Sequence, residues 1–430
     1  MRDIVVTGAR LADGTVKDLG ISHGVFVPAD EVHDPQRVDA SGLVALPGLV
    51  DPHVHLREPG REDAETIETG TRAAARGGFT AVCAMANTDP VTDTAEQVMW
   101  IRQAARGASA EVVPVGAVTK GLAGEELAEL GLMARAGVRL FSDDGRCVHD
   151  PQLMRRALEY VGGHGGAIAQ HAQDPRLAGP GACCHEGEVS GRLGLPGWPA
   201  VAESVIVARD AQLAELTGTP VHVCHVSTAE TIEVIRWAKG RGIPLTAEVT
   251  PHHLALTVAE VEGYDPTYKV NPPLRAQSDR EVLADALVDG TIDMVGTDHA
   301  PHAAHDKAHA FTDAAFGMLG LEQSLAVIMD LFVHTGRLDW AGVAERMSHA
   351  PARLAQIPGQ GRPIMESEPA NLCLVDPERR TRVDRAASAS LSRNNPWHGR
   401  DLPDPIMGTL WRGQWTHLDA NLADGDGSEH

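Results

Sequence analysis

The sequence predicts an α/β chain, a (β/α)8 barrel carrying a small β domain built from both termini. Three observations lead there. From about residue 48, short apolar β-branched runs alternate with longer Ala-, Glu- and Arg-rich amphipathic stretches, the pattern of βα units on a parallel sheet. Eight such runs can be counted, the number a closed barrel of this kind needs. The segments before residue 48 and after residue 357 lack helical periodicity and read as short strands broken by Gly, Pro and Asp-Gly turns.

Taken in order, residues 2–46 hold the strand-like runs IVVTGARL, GVFVP and LVALPG. The eight barrel strands are then Gly48–Asp51, Phe79–Met85, Glu111–Val118, Val138–Ser142, Ala167–Gln170, Pro220–Cys224, Pro244–Val249 and Asp293–Gly296. The helical stretches between them are Asp63–Arg76, Ala95–Ala105, Glu125–Ala136, Asp150–Val161, Pro199–Glu215, Ala229–Lys239 and Arg280–Asp289, and Leu319–His334 follows the eighth strand. The runs ANLCLVDP and GTLWRGQW close the chain. The expected division is a composite β domain from 1–47 and 358–420, a barrel from 48–357, and a disordered acidic tail at 421–430.

Composition narrows the function. Lys plus Arg number 37 and Asp plus Glu 59, so 37 − 59 gives a net charge of −22. Such acidity disfavours nucleic-acid and anionic-membrane surfaces, which need clustered positive charge. With 43% hydrophobic and 22% charged residues, the chain is expected to be globular. No apolar run approaches the ~20 residues of a membrane span. The start, MRDIVVTGARLADG, has no basic region followed by an apolar core, so no secretory leader is expected. Six cysteines without a C-x-x-C pair fit a reducing cytoplasm.

Chemistry is expected at the C-terminal ends of the strands, which share one cavity in such a barrel. His53, His55 and Arg57 follow the first strand, and Asn87 the second. Asp143 and Asp144 follow the fourth, His171 the fifth and His225 the sixth. His252, His253 and Asn271 follow the seventh, Asp298 and His302 the eighth. With 21 histidines, about one H-x-H is expected by chance, so the coincidence of strand ends carries more weight than the motif. On an extended strand end, residues i and i+2 face one side, so His53 and His55 can grip one ion. Either Asp143 or Asp144 could bridge two metals, and an Asp-Asp-Gly turn would also simply end a strand. His222 and His225 differ by three and should face opposite sides of their strand, which favours His225, nearer the C-terminal end, as the ligand. Asp298 could both bind metal and shuttle a proton. Arg57 offers the fork of donors that suits a carboxylate, and Asn87 and Asn271 can hydrogen-bond amide or ring groups. His305 and His309 read as solvated loop residues, His222, His252 and His253 as structural or outer-lying ones.

The segments LPGLVDPHVHLREPG, AMANTDPVTD, FSDDG, VHVCHVST, VTPHH, KVNPPLR and GTDHAPH resemble the amidohydrolase superfamily, and more closely the type I bacterial dihydroorotases. The similarity runs from about residue 3 to 418. It implies reversible cyclisation of N-carbamoyl-L-aspartate to L-dihydroorotate in pyrimidine synthesis, with one or two Zn2+ per subunit. By resemblance, His53 and His55 hold one zinc, His171 and His225 the second, and one Asp of the pair bridges. Asp144 is favoured as nearer the cavity end of the strand. Asp298 binds the first zinc and acts as acid–base. His55, Arg57, Asn87, Asn271, His302, Phe316 and Gly317 match substrate contacts. Many cyclic amidases bridge their metals with a carboxylated lysine, but VRLFSDD has none, which sets the chain apart from hydantoinases. Family members usually carry Ala-Pro before Phe-Gly, where this chain has Ala314-Ala315, so the 303–317 loop departs from the pattern. The resemblance also implies a homodimer, with association to an aspartate carbamoyltransferase as a further option. Competing readings are another cyclic amidase (hydantoinase or allantoinase) and a non-catalytic homologue that supports the carbamoyltransferase.

Overall fold

The computed structural model describes residues 2–423. Both ends of the chain build one mixed sheet. Its order is Gln414–Leu418, Ile406–Trp411, Leu372–Val375, Val44–Pro47, Ile4–Leu11, Val16–Ser22, Val25–Val27, with Gln36–Asp39 paired to Ile4–Leu11. Val44–Pro47 and Leu372–Val375 pair antiparallel and are buried on both faces. Ala45, Leu372 and Leu374 join Ile4, Val6, Phe26 and Leu410 in one core. Val44, Leu46, Cys373 and Val375 point the other way, into the core beneath the parallel strands with Leu49 and Phe79. Burial on two faces explains why these strands read as continuous apolar runs. Val16–Ser22 and Gln36–Asp39 were not foreseen, because exposed charged residues break their apolar pattern.

Eight strands form two parallel sheets. One holds Leu49–Val54, Phe79–Ala84 and Glu111–Pro114. The other holds Leu140–Phe141, Ala167–Gln170, Val221–Val223, Leu245–Val249 and Met294–Val295. Isolated parallel bridges, Gly116 to Phe141 and Val54 to His299, join the sheets at both outer edges. Ser142 N donates to Gly116 O at 2.8 Å and His55 N to His299 O at 2.9 Å. Four of the helices between begin at side-chain caps from Thr66, Thr94, Asp150 and Thr228, each satisfying a backbone N–H of the first turn.

Three helices are shorter than the pattern implied, the first helix starting at Ile67 rather than Asp63. The third is only Leu130–Arg135, since Lys120 N bonds Glu126 O and Ala128 N bonds Val118 O, drawing 126–128 into pairing with the preceding loop. The last begins at Ser324 and continues as a π-helical turn, Met329–Val333, because Met318 is taken up in a parallel bridge to His299. Of the expected tail at 421–430, residues 421–423 belong to a short helix, Ala420–Ala423, and 424–430 lie outside the described residues. Among the described residues, no helix is long and apolar enough to cross a membrane.

A C-terminal segment braces the loops at the strand ends. Glu65, fully buried, accepts from Ser390 Oγ and Thr69 Oγ1, from Leu391 N at 2.9 Å and from His299 Nε2 at 3.3 Å. Asn394 Nδ2 then donates to Ala300 O (2.9 Å) and Gly317 O (3.1 Å), while its Oδ1 accepts from His302 N (3.2 Å). Glu65→Ala would leave these buried donors unpaired. It is expected to lower stability by ~3 kcal/mol in urea unfolding, and a loss under ~1 kcal/mol would contradict the bracing role.

Candidate metal centre

His53 in the first parallel strand and His55 just past its end face one side, at 0% and 4% exposure. Two groups of potential ligands share Asp144, and a third, His53 with Cys224 and Glu248, lies behind His53. His53, His55, Asp144 and Asp298 make one, and Asp144, His171 and His225 the other, each with its donor atoms within 4.8 Å of one another. Asp144 belongs to both. Its Oδ1 lies 3.3 Å from His53 Nε2, 3.4 Å from His171 Nδ1 and 3.2 Å from His225 Nε2, and its Oδ2 lies 3.3 Å from His55 Nε2. Asp298 Oδ1 lies 2.9 Å from His55 Nε2 and 3.5 Å from His53 Nε2. The neighbouring acid turns away: Asp143 accepts from Val118 N (2.8 Å), Thr119 N (3.0 Å) and the Thr119 hydroxyl. Adjacent residues thus split their duties, one facing the cluster and one tying down a loop.

The rings are oriented from behind. His53 Nδ1 donates to Glu248 Oε1 at 2.6 Å, His55 Nδ1 to Asn87 Oδ1 at 2.8 Å, and His171 Nε2 to Gln173 Oε1 at 3.0 Å. With a proton fixed on the rear nitrogen, each ring presents a lone pair to the cluster, the arrangement metal-binding histidines use. His53 Nε2 is buried without a hydrogen-bond partner. That orphaned nitrogen and the buried N/O donor set fit a divalent metal.

Charge agrees with the geometry. Burial opposes ionisation of Asp144, but His53 first, and then the facing His171 and His225, hold it well below the usual carboxylate range. Burial likewise opposes ionisation of Asp298, and His55 and His53 bring it below that range. Glu248 is driven up by burial, yet His53 and His222 pull it down to about 2. All three stay anionic at neutral pH.

Glu248 and Gln173 were missed in the sequence. Glu248 is a lone acid in the strand LTAEV, which is the only signal it gives. It also meets His222 Nε2 at 3.2 Å and His225 N at 3.3 Å. The opposite-face argument for His222 and His225 does not hold, since the strand ends at Val223 and His225 lies beyond it at φ +31°. A Cβ at Gly296 would collide with Glu248 Oε2, which accounts for the glycine of GTDHAP. His253 braces the Asn271 loop, its Nε2 donating to Pro272 O at 3.1 Å. His305 and His309 are exposed.

Beside the cluster lies a cavity of about 200 Å3. Arg57, Asn87, Asn271, His302, Phe316 and Gly317, the expected substrate contacts, line it together with His55, Asp144, His171 and Asp298. Arg57 Nε donates to Pro301 O at 3.0 Å. Burial pushes its guanidinium down to about 10, so it stays charged at neutral pH. His302 Nε2 donates to Phe316 O at 2.6 Å, and burial with Arg57 drives this imidazole down to about 2, leaving it neutral. Arg57 and Asp298, like His225, adopt left-handed backbone, at φ +62° and +46°. Such strain, about 1–2 kcal/mol per residue, gathers at functional positions. In the departing loop, Ala315 N donates to Asp306 O at 3.0 Å, a bond that proline has no N–H to make.

Similar folds define the class. The structure matches an L-hydantoinase (dihydropyrimidinase) from Arthrobacter aurescens with a TM-score of 0.87 and 25% identity over 97% of each chain. It matches a D-hydantoinase from a Thermus species with a TM-score of 0.82 and 24% identity, over 97% of this chain and 95% of that one. Fold and donor cluster together are those of a metal-dependent cyclic amidohydrolase. A family model described as dihydro-orotase-like matches residues 42–231. The chain is 55% identical to the dihydroorotase of Streptomyces coelicolor, covering 98% of this chain and 100% of that one. It is 52% identical to that of Mycobacterium tuberculosis, covering 95% and 94%. The chain belongs to the dihydroorotase family.

The split between adjacent acids is testable by metal analysis. Asp144→Asn, purified from zinc-supplemented medium, is expected to hold less than about half the metal of the parent protein. Asp143→Asn should keep the metal and lose stability instead. The reverse pattern would reassign the bridge.

Proposed function

We propose that the chain interconverts N-carbamoyl-L-aspartate and L-dihydroorotate, with Zn2+ at the Asp144 cluster, in de novo pyrimidine synthesis. The observation that carries this reading is a carboxylate shared by two imidazole groups, facing a charged arginine across one small cavity. The two parallel sheets with bridges at both edges are read as one (β/α)8 barrel (48–357), and the sheet from both termini (1–47 and 358–420) as the second domain. A cytoplasmic setting is in keeping with six free cysteines. A homodimer, alone or with an aspartate carbamoyltransferase, is the proposed assembly.

When bound, the metal supplies Lewis acidity towards water and the scissile carbonyl. The chain's residues do the rest. Arg57 binds the carboxylate that stays outside the ring, with neutral His302 beside it. Asn87 and Asn271 offer hydrogen bonds to the ring amide groups, and Asn271 Oδ1 is a buried acceptor without a partner in the protein. Asp298 directs Oδ1 at His55 and leaves Oδ2 to move the proton. In hydrolysis it takes a proton from the attacking water and gives it to the departing ring nitrogen as the C–N bond breaks. In cyclisation the ureido nitrogen attacks the side carboxylate, Asp298 carries the nitrogen's proton to the departing oxygen, and with one more proton from solvent that oxygen leaves as water. Holding both reacting groups in one cavity removes much of the entropic barrier.

Hydantoin has no carboxylate, so a hydantoinase would leave Arg57 without a partner. The complete donor set also weighs against a non-catalytic subunit. Turnover of dihydroorotate, hydantoin and allantoin by the zinc-loaded protein decides among these readings.

Asp298→Ala is expected to lower kcat by ~10³-fold or more while the unfolding midpoint is kept, and substantial residual turnover would refute the proton-transfer role. Arg57→Ala is expected to raise KM for carbamoyl aspartate about 10- to 100-fold. An analogue without the free carboxylate should be little affected, and equal effects on both compounds would count against the assignment.

A further inference from the structure

A second cavity, about 570 Å3, adjoins the first. Its lining includes His302, which also lines the inner cavity, with Lys307, Arg385, Arg393, Thr267 and Asn394. None of its lining residues is acidic. In a molecule of net charge −22, three cationic side chains and an imidazole around one opening stand out. Two acids flank these cations in sequence: Asp306, paired with Arg61, and Asp384, whose Oδ1 accepts from Ala386 N at 2.9 Å.

The cations differ in what they can still bind. Lys307 Nζ is spent on carbonyls, those of Pro266 (3.0 Å), Lys269 (3.3 Å) and Ala315 (2.7 Å). Burial pushes it down to about 7, so it is not a full charge at neutral pH. Arg393 Nη1 is likewise held by Ser390 O, Leu391 O and Ser392 O. Arg385 is exposed, and among the described residues its side chain forms no hydrogen bond or ion pair. At the inner end, His302 is nine-tenths buried; with Nε2 donating to Phe316 O, its Nδ1 is an unpartnered lone pair 3.7 Å from Asp306 Oδ2. Beyond it lies Arg57, 3.4 Å from His302 Nε2. A free guanidinium at the mouth and a buried guanidinium inside, with His302 lining both cavities between them, mark one path.

We propose that this outer cavity is an anion-binding antechamber for small dicarboxylates, in which Arg385 receives the substrate dianion before Arg57 takes over one carboxylate. It deepens the dihydroorotase reading and rests on it for the ligand's identity. The physical need is plain. Carbamoyl aspartate carries two negative charges and the protein is strongly acidic, so unsteered approach is repelled. A local positive opening reverses the field where it matters, by a factor that salt screens.

The test is a charge series at Arg385, read by kinetics and by binding. At about 0.01 M ionic strength, Arg385→Gln should lower kcat/KM for carbamoyl aspartate about threefold and Arg385→Glu about tenfold, with the loss in KM rather than kcat. At about 0.5 M the losses should shrink to under about twofold. Separately, calorimetric binding of succinate to Arg57→Ala protein should weaken when Arg385→Glu is added. Parent-like kcat/KM for Arg385→Glu at low salt, a loss that salt does not alter, or succinate binding indifferent to Arg385 would each overturn the proposal. If the zinc-loaded parent turned over no carbamoyl aspartate, yet bound succinate in an Arg385- and salt-dependent way, the dihydroorotase reading would fall and the anion site would stand.

Discussion

One carboxylate, Asp144, lies within 3.4 Å of four imidazoles from three separate strand ends. Gathering so many polar groups where none is more than 4% exposed is costly unless each is satisfied. The structure meets that cost with a second ring of acceptors. Glu248, Asn87 and Gln173 each take the rear proton of one histidine, so each lone pair already faces inward. The strands supply positions, and the rear acceptors supply orientation. A metal entering such a site meets ligands that need little rearrangement.

The same division explains what the sequence made legible. His53, His55, His171, His225, Asp144 and Asp298 could be picked out because parallel strands place their C-terminal ends together, so one rule reaches residues 245 positions apart. Glu248 and Gln173 obey no such rule. Glu248 lies 195 residues from His53, and only the packed strands bring them within 2.6 Å. The parity argument at His225 failed for a related reason: strands here end early, and the chain bends before its ligands. Two of the parallel strands, Leu140–Phe141 and Met294–Val295, are only two residues long for the same purpose. The polar strands Val16–Ser22 and Gln36–Asp39 were hidden because charged, solvent-facing positions mask alternation.

Loops that carry the proposed substrate contacts need anchors of their own, since strands do not reach them. Lys269 Nζ donates to Thr312 O and Ala314 O at 2.7 Å each, while Lys307 ties Ala315 to the opposite loop. Asn394, from near the other end of the chain, pins Ala300, His302 and Gly317. The Ala-Ala departure before Phe316 therefore sits in a loop with many independent ties. Its one new donor, Ala315 N, is used rather than wasted. A change that adds a satisfied bond without removing an anchor leaves the cavity wall where the substrate needs it.

Fold alone does not choose between ring substrates. A hydantoinase shares nearly the whole architecture at a TM-score of 0.87, yet only 25% of the residues are the same. Discrimination must come from side chains that meet the part of the substrate that does not react. In the proposed function that group is Arg57, held on a left-handed turn at φ +62° and lining a 200 Å3 cavity. Leaving its charge unpaired would be expensive, so a neutral ring binds against a penalty that a carboxylate removes. The reactive centre decides what chemistry is possible. In the proposed function, the arginine opposite it decides which cyclic amide comes to be cut or closed.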